Sequence, residues 1–290
     1  MNKNHILTRR QILGTLPLLG TASVRFGQAD SRNQTLQVGC QANGYPLTAG
    51  DFASLLIALR NMKQIRYAGF ECNVRFVQGQ FDRSAKAGRE IERTGVQFIG
   101  AHLNMKLAAQ GDFANVAEGV RSLGARYIVM SGGGLSPDGR FEQDKLVAKA
   151  REITRIAKLC REQGITLAYH NHNPEFANGN AEIEALARET DPATVHFLVD
   201  AGHAYLGGGD PVAFLRRHAE RIVGFHVKIF KGQTQVPLGH GDHEFNEMAS
   251  AIRETQWKGW LITEEGGGSA KGNTAALAPD RQYIRRVFGV

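Results

Sequence analysis

Residues 169–176 form the densest group of chemically active side chains in the sequence. The segment holds His170, His172, two asparagines and Glu175, and it directly follows the apolar run 165–168, which predicts a buried strand. Imidazole and carboxylate groups that meet where a strand ends can bind a divalent metal ion or transfer protons. A solvated turn does not require two histidines, so the segment predicts a metal or acid–base site.

Three later strand-like runs also end in residues that can bind a metal ion. These runs end in Asp200, His226 and Glu264. Singly, each residue has an ordinary explanation, such as an aspartate that caps a turn or a histidine in the core. Together, on successive strands, they predict a site with nitrogen and oxygen ligands for a divalent cation. Carboxylates and histidines without thiolates favour Mn²⁺ or Co²⁺ over Zn²⁺ or Mg²⁺.

The elements that position these residues alternate regularly from residue 35 onward. The predicted strands are residues 36–40, 67–72, 96–101, 127–131, 165–170, 195–199, 222–228 and 260–264. The predicted helices are residues 52–64, 84–94, 113–123, 143–163, 181–189, 211–221, 244–255 and 279–288. Such alternation over about 250 residues predicts a single (β/α)8 TIM barrel across residues 30–290. An open doubly wound sheet is the alternative, but the first strand is not followed by a glycine-rich phosphate-binding sequence.

In a barrel of this class, functional groups collect at the carboxyl ends of the strands. Glu71, His102 and Lys228 lie at or just beyond such ends, and His203 follows Asp200 by three residues. Because Lys228 is two residues beyond His226, the two side chains face the same side of an extended chain. These four residues are further candidates for the site, although ordinary polarity at the barrel mouth also explains Glu71 and His102.

The N-terminal segment predicts protein export. Arg9 and Arg10 precede the largely apolar stretch 12–24, and the small residues 27–29 then offer a cleavage site. This order is typical of a twin-arginine signal, which we place over residues 1–29. A periplasmic protein with no stable membrane association after cleavage is therefore expected. An uncleaved anchor and an ordinary basic terminus are the alternatives.

Charge and cysteine content limit the other functions. Residues 1–29 supply four of the seven net positive charges and no acid, which leaves +3 for the rest of the chain. Without a longer basic run, we expect no nucleic-acid partner. Cys40, Cys72 and Cys160 show no metal-binding spacing. They indicate either a Cys40–Cys72 disulfide or free core thiols. The sequence is also compatible with a homo-oligomer.

Four motifs resemble the sugar phosphate isomerase/epimerase group of xylose-isomerase-like barrels, which includes inosose dehydratases and enzymes that process 3-keto-glycosides. They are residues 169–176, 198–203, 225–228 and 261–265. The resemblance extends from about residue 35 to the C-terminus. It implies a divalent-metal-dependent enzyme that acts on a sugar, keto-sugar or inositol derivative.

The metal ligands that the resemblance implies are Glu, Asp, His and Glu from strands five to eight. Asp200, His226 and Glu264 match the last three, but His170 stands where many relatives have the first glutamate. Either His170 binds the metal, or Glu175 does so from the following loop. In the family's epimerases the first and last carboxylates also act as acid and base. The departure at His170 therefore favours a lyase or dehydratase with a histidine base.

The chemistry that fits is proton abstraction next to a carbonyl or carbinol. His172 or Glu264 would act as the base, and Lys228 would stabilise developing negative charge or bind a hydroxyl. Glu71, His102 and His203 would join Lys228 in binding the sugar. Two alternatives remain from the residues themselves: an abasic-site endonuclease, which would need more basic residues for phosphate, and a sugar-binding barrel without turnover.

Overall fold

A closed barrel of eight parallel strands forms the centre of the computed structural model, which describes residues 35–108, 112–265 and 272–290. The barrel strands are β1 Gln37–Gln41, β2 Gly69–Asn73, β3 Gln97–Asn104, β4 Tyr127–Ser131, β5 Thr166–His170, β6 Val195–Asp200, β7 Ile222–Val227 and β10 Trp260–Thr263. Strand β1 pairs in parallel with both β2 and β10 and so closes the sheet. The predicted (β/α)8 barrel is confirmed, and the open sheet is wrong.

Two hydrophobic layers follow from the alternation of side chains along the strands. One face of the strands fills the barrel interior with side chains that include Ile99, Leu198 and Trp260. The other face packs against the surrounding helices and forms the larger core. Gly69 makes room for the interior tryptophan, because a Cβ atom there would lie 2.7 Å from the Trp260 ring. Inward-facing polar residues are then left at the ends of the strands.

Ten helices surround the barrel within the described residues. They are α1 Phe52–Gln64, α2 Ser84–Glu92, α3 Met105–Ala108, α4 Phe113–Ser122, α5 Gln143–Glu162, α6 Asn173–Glu189, α7 Ala201–Leu206, α8 Pro211–His218, α9 Asn246–Glu254 and α10 Thr274–Phe288. Asp51 and Asp210 cap α1 and α8, where each side chain accepts a backbone N–H three residues on. Most predicted helices are found within a few residues of their expected ends.

Helix α6 begins eight residues before the predicted start. Its first turn is Asn173–Phe176, with Pro174 early in that turn and a capping box between His172 and Glu175. The helix is then interrupted at Ala177–Asn180, where Asn178 and Asn180 have φ angles of 50° and 67°. The residues that follow β5 are therefore a helix N-terminus, whereas the sequence indicated a polar loop.

Several short elements were missed by the periodicity. Strands β8 Ile229–Lys231 and β9 Thr234–Val236 form an antiparallel hairpin directly after β7. Helix α7 follows β6 at once, and the Asp200 side chain caps it by accepting the His203 N–H. Segments of three to six residues are too short to show a reliable period.

Two other expectations concern the termini and the thiols. The predicted export signal over residues 1–29 lies outside the described residues. No helix in the described part of the chain is long and apolar enough to cross a membrane. All three cysteines lie in that part, where they are buried and free. The thiols belong to the core, and the Cys40–Cys72 disulfide is not formed.

Arg221 joins the helical layer to the amino-terminal ends of the strands. Its side chain is buried, and the guanidinium donates hydrogen bonds to the Val195 and Ala187 carbonyls and to Thr190 Oγ1. The same group lies 4.8 Å above the Phe197 ring. Burial lowers the pKa of Arg221. These contacts satisfy carbonyl oxygens that would otherwise be buried without partners.

Replacing Arg221 with methionine should therefore lower the free energy of unfolding by about 3 kcal/mol, because buried carbonyl groups lose their donors. Urea denaturation measures this change. Arg216, whose side chain is 42% exposed in surface ion pairs with Glu247 and Glu254, is the matched control. Arg216→Met should cost less than about 1 kcal/mol. Equal losses in the two variants would show that the Arg221 contacts do not stabilise the barrel.

Candidate metal centre and active site

His170, Asp200 and His226 meet at the carboxyl ends of β5, β6 and β7. One ligand atom from each residue lies within 4.8 Å of the other two, and we call these three residues the metal cluster. The pairing register explains the meeting, since Asp200 lies opposite His226 and His170 lies opposite Leu198 on the adjacent strand. All three side chains are buried. The structure therefore brings the predicted ligands of three successive strands to one place.

The metal cluster is rich in buried polar atoms. His170 Nδ1 is buried without a hydrogen-bond partner, while Asp200 Oδ2 and His226 Nδ1 lie 2.7 and 2.9 Å from the charged groups of Lys228 and Glu264. His170 Nε2 and His226 Nδ1 each lie 3.8 Å from Asp200 Oδ2. Imidazole nitrogens grouped in this way around a carboxylate oxygen fit the ligand set of a divalent cation.

Glu264 and Lys228 extend the metal cluster on one side. Glu264 directly follows β10, and its Oε2 atom lies 2.9 Å from His226 Nδ1 without hydrogen-bond geometry. The Lys228 ammonium donates to the same Oε2 at 2.9 Å and lies 2.7 Å from Asp200 Oδ2. The predicted fourth ligand and the predicted lysine are thus both in contact with the metal cluster.

Glu71 holds His226 from behind. Its Oε2 atom forms a 2.9 Å hydrogen bond with His226 Nε2, and its Oε1 atom accepts from Gln41 Nε2 at 3.1 Å. The carboxylate is fully buried. With Nε2 engaged, Nδ1 is the nitrogen of His226 that faces the metal cluster, as in carboxylate–histidine–metal arrangements. This position does not support the predicted contact of Glu71 with a substrate, and Glu71 orients His226.

His102 lies nearer the barrel mouth than Glu71. Its ring nitrogens lie 3.3 Å from Glu71 Oε1 and 3.4 Å from Ser131 Oγ, and its ring centre lies 4.9 Å from that of His170. The side chain keeps 17% of its surface exposed. The structure therefore brings His102 to the rim of the site, where the sequence placed it.

Opposite charges keep the buried carboxylates ionised. Burial would raise the pKa values of Asp200 and Glu264, but the Lys228 ammonium, with nearby histidines, holds both well below the usual range. The pKa of Glu71 is also lowered, because His226 and His102 outweigh the effect of burial. Three carboxylates then face one lysine among the described residues of the site. When His226 is neutral, as a metal ligand must be, two negative charges remain, and a divalent cation would neutralise them.

The two histidines of the metal cluster differ in their protonation. Burial, together with the neighbouring His226 and His102, lowers the pKa of His170 well below its ordinary value. His170 is therefore neutral, as a metal ligand must be. Burial would lower the pKa of His226 as well, but Glu71 and Glu264 raise it well above the ordinary value. A metal ion would compete with the proton on this residue.

His172 and His203 form one wall of the mouth. Their ring centres are 5.0 Å apart, and the His172 ring lies 5.3 Å from that of His170. His203 Nδ1 lies 2.5 Å from Asn173 Oδ1, and the His203 backbone N–H donates to Asp200 Oδ1 at 2.8 Å. Both predicted histidines therefore stand beside the metal cluster.

Two asparagines of the 169–176 motif have positioning roles that the sequence did not assign. Asn171 Oδ1 accepts from the Asp200 N–H at 2.8 Å, and its Nδ2 donates to the Asp200 carbonyl at 3.1 Å. Asn173 meets His203 as described above. Asn171 thus locks the end of β6 to the end of β5. Their presence in the motif was the only sequence signal for these roles.

Glu175 does not reach the metal cluster. Its Oε1 atom accepts from the Tyr169 hydroxyl at 2.9 Å, and its Oε2 atom accepts from the His172 backbone N–H at 3.1 Å. The side chain is fully buried on the helix side of β5. Of the two alternatives for the first ligand, the structure brings His170 to the metal cluster and leaves Glu175 outside it.

Comparison with known proteins places the chain in a family. A family model described as xylose isomerase-like TIM barrel matches residues 59–287. The chain belongs to this family. It is 27% identical over 274 residues to an inosose dehydratase of Geobacillus kaustophilus, an alignment that covers 82% of this chain and 89% of the relative.

Solved structures share the same fold. A sugar phosphate isomerase/epimerase of Parabacteroides distasonis superposes with a TM-score of 0.66 at 18% identity, covering 88% of this chain and 96% of that protein. The IolI protein with a bound zinc atom superposes with a TM-score of 0.70 at 12% identity, covering 88% and 98%. The family model and the inosose dehydratase relative, together with these structures, confirm the resemblance to xylose-isomerase-like barrels, and at such identities the solved structures by themselves show the fold alone.

Metal content provides the test of the metal cluster. Wild-type protein loaded with Mn²⁺, Co²⁺ or Zn²⁺ should retain one ion per chain by mass spectrometry, and Asp200→Ala should retain none. The exposed Asp82 is the matched control, and Asp82→Ala should retain the ion. His170→Ala should weaken metal affinity at least about 100-fold, whereas Glu175→Gln should change it little. The reverse order would reassign the first ligand to Glu175.

Proposed function

We propose that the protein is a divalent-metal-dependent enzyme that removes a proton next to a carbonyl or carbinol of a keto-sugar or inositol derivative. The reaction that we favour is a dehydration. The observation that carries the proposal is the buried metal cluster, in contact with Glu264 and Lys228 at one end of the barrel. The similarity to an inosose dehydratase supports the same reaction class.

His170, Asp200, His226 and Glu264 would hold the metal ion. When bound, a divalent ion supplies Lewis-acid stabilisation of negative charge on substrate oxygens. Imidazole and carboxylate ligands suit Zn²⁺ as well as Mn²⁺ and Co²⁺, and the IolI neighbour carries zinc. The preference for Mn²⁺ or Co²⁺ stays a prediction.

His172 would act as the base. It stands beside the metal cluster, and burial lowers its pKa below the ordinary value, so the imidazole is neutral and able to accept a proton near neutral pH. The proton leaves the carbon next to the carbonyl, and its bonding electrons form the new carbon–carbon double bond as the adjacent C–O bond breaks. The departing hydroxide needs a proton to leave as water. The imidazolium formed on His172 would return its proton to that hydroxide, and His203, whose ring is 5.0 Å from that of His172, would bind a neighbouring substrate hydroxyl.

Lys228 would stabilise the negative charge that develops on a substrate oxygen. Its ammonium group already lies between Asp200 and Glu264, so its position is fixed before a substrate binds. His102 at the rim would bind a more distant hydroxyl. Since no arginine- or lysine-rich loop for phosphate is evident in the sequence, a free or glycosidic sugar is favoured over a sugar phosphate.

Dehydration is favoured over epimerisation because the first of the four ligand positions, at the end of β5, holds His170 where many relatives have a glutamate. An epimerase of the kind that the resemblance implies uses two ligand carboxylates as acid and base on opposite sides of the substrate. In this structure Glu264 is a carboxylate next to the metal cluster, but Glu175 lies behind β5. Of the two carboxylates that such an epimerase uses, the site therefore contains one, Glu264. A histidine takes the place of the other as the candidate base.

The export of the protein is a separate proposal. We infer from the paired Arg9 and Arg10 and the apolar stretch that follows that residues 1–29 direct the chain to the periplasm. Replacing both arginines with lysine should leave the protein in the cytoplasmic fraction, because the twin-arginine route requires the pair. Periplasmic recovery equal to that of the wild type would exclude this route.

A proton-exchange assay tests the enzymatic proposal. Metal-loaded protein with inososes or 3-keto-glycosides in deuterated water should give either deuterium incorporation next to the carbonyl or an elimination product by NMR. His172→Gln should reduce the rate at least about 100-fold and retain the metal. The exposed His240 is the matched control, and His240→Gln should keep the wild-type rate. Neither exchange nor elimination with metal bound would favour a sugar-binding barrel without turnover, and cleavage of abasic DNA would favour the endonuclease.

A further inference from the structure

A second group of buried charged residues lies behind β5, on the side opposite the metal cluster. Lys149 on α5, Tyr169 on β5, and Glu175 and Glu182 on α6 are all buried. We call these four residues the Lys149 network. Successive residues of a strand face opposite sides, so Tyr169 points toward the helices while His170 points into the barrel.

The Lys149 network is connected to His172 through Glu175. One carboxylate oxygen of Glu175 accepts from the Tyr169 hydroxyl at 2.9 Å, and the other accepts from the His172 backbone N–H at 3.1 Å. Lys149 Nζ lies 3.7 Å from the first oxygen.

The other end of the Lys149 network holds the loop after β4. Lys149 forms an ion pair with Glu182 and donates to the Gly133 carbonyl, and Glu182 Oε2 accepts from the Leu135 N–H at 2.8 Å. Gly134 packs so closely on Pro174 that a Cβ atom there would lie 2.3 Å from the proline Cβ. The loop and the first turn of α6 are therefore held against each other.

Stability alone does not account for these groups. Two carboxyl groups and one ammonium group are withdrawn from water, and buried ion pairs can often be replaced by apolar side chains without loss of stability. The polar groups instead fix the position of the His172 backbone, because hydrogen bonds have a preferred direction and apolar contacts do not. A base must stand within a few tenths of an ångström of its working position, and small displacements cost rate.

We propose that the Lys149 network is a positioning device for His172. Glu175, held by Tyr169 and Lys149, fixes the backbone at the start of α6 and thereby the direction in which the imidazole enters the mouth. The inference rests on the proposed role of His172 as the base. It gives Glu175 and Tyr169, neither of which touches the metal cluster, a defined function.

The substitution Tyr169→Phe tests the proposal, because it removes one hydrogen bond and retains the ring. The maximal rate, kcat, should fall about 10-fold, while KM and the metal content stay within about twofold of the wild type. Tyr283 is the matched control, since its buried ring also donates a hydroxyl hydrogen bond to a glutamate, Glu244, at 2.7 Å. Tyr283→Phe should leave kcat unchanged.

A second measurement separates this proposal from the proposed function. Nuclear Overhauser contacts between the His172 and His203 rings, observed without substrate in protein loaded with diamagnetic Zn²⁺, report the ring position whether or not turnover occurs. Wild type should show them, Tyr169→Phe should weaken them, and Tyr283→Phe should preserve them. Unchanged contacts in Tyr169→Phe would overturn the proposal. So would a kcat within twofold of the wild type in an active protein, or an equal fall in Tyr283→Phe.

Discussion

The burial of three carboxylates around His226 is the interaction on which the rest of this structure depends. Oxygen atoms of Glu71, Glu264 and Asp200 lie 2.9, 2.9 and 3.8 Å from the His226 ring nitrogens. Negative charge withdrawn from water is unfavourable unless cations or hydrogen-bond donors compensate it. Lys228 and a protonated His226 provide compensating charges among the described residues. A divalent cation that displaced the His226 proton would balance the carboxylates in its place, which is the physical reason to assign the barrel mouth to such an ion.

The end of β5 serves two environments at once. His170 faces the barrel interior and joins the metal cluster, while Tyr169, one residue earlier, faces the helices and joins the Lys149 network. A shift of one residue in strand register would exchange these two side chains and destroy both groups. The pairing of β5 with β4 and β6 therefore controls the ligand set and the support behind it.

Periodicity predicted the long elements well and the short ones poorly. Helix α1 was predicted to the residue, because an amphipathic run of 13 residues follows the capping Asp51. The start of α6 was missed because His172 and Glu175 were interpreted as ligand or catalytic groups, whereas both also take part in its capping box. The β8–β9 hairpin was missed because strands of three residues carry no period.

The sequence by itself determined the barrel and two residues of the metal cluster, Asp200 and His226, and left the first ligand open between His170 and Glu175. Parallel strands of a closed barrel all end on one side, so polar residues at successive strand ends must meet. Only the tertiary structure decided the places of Glu71 and Glu175. Glu71 bonds His226 across 155 residues of chain, and Glu175 turns away from the barrel to the His172 backbone. Residue spacing does not determine which partner a carboxylate meets, because that choice depends on the packing of distant elements.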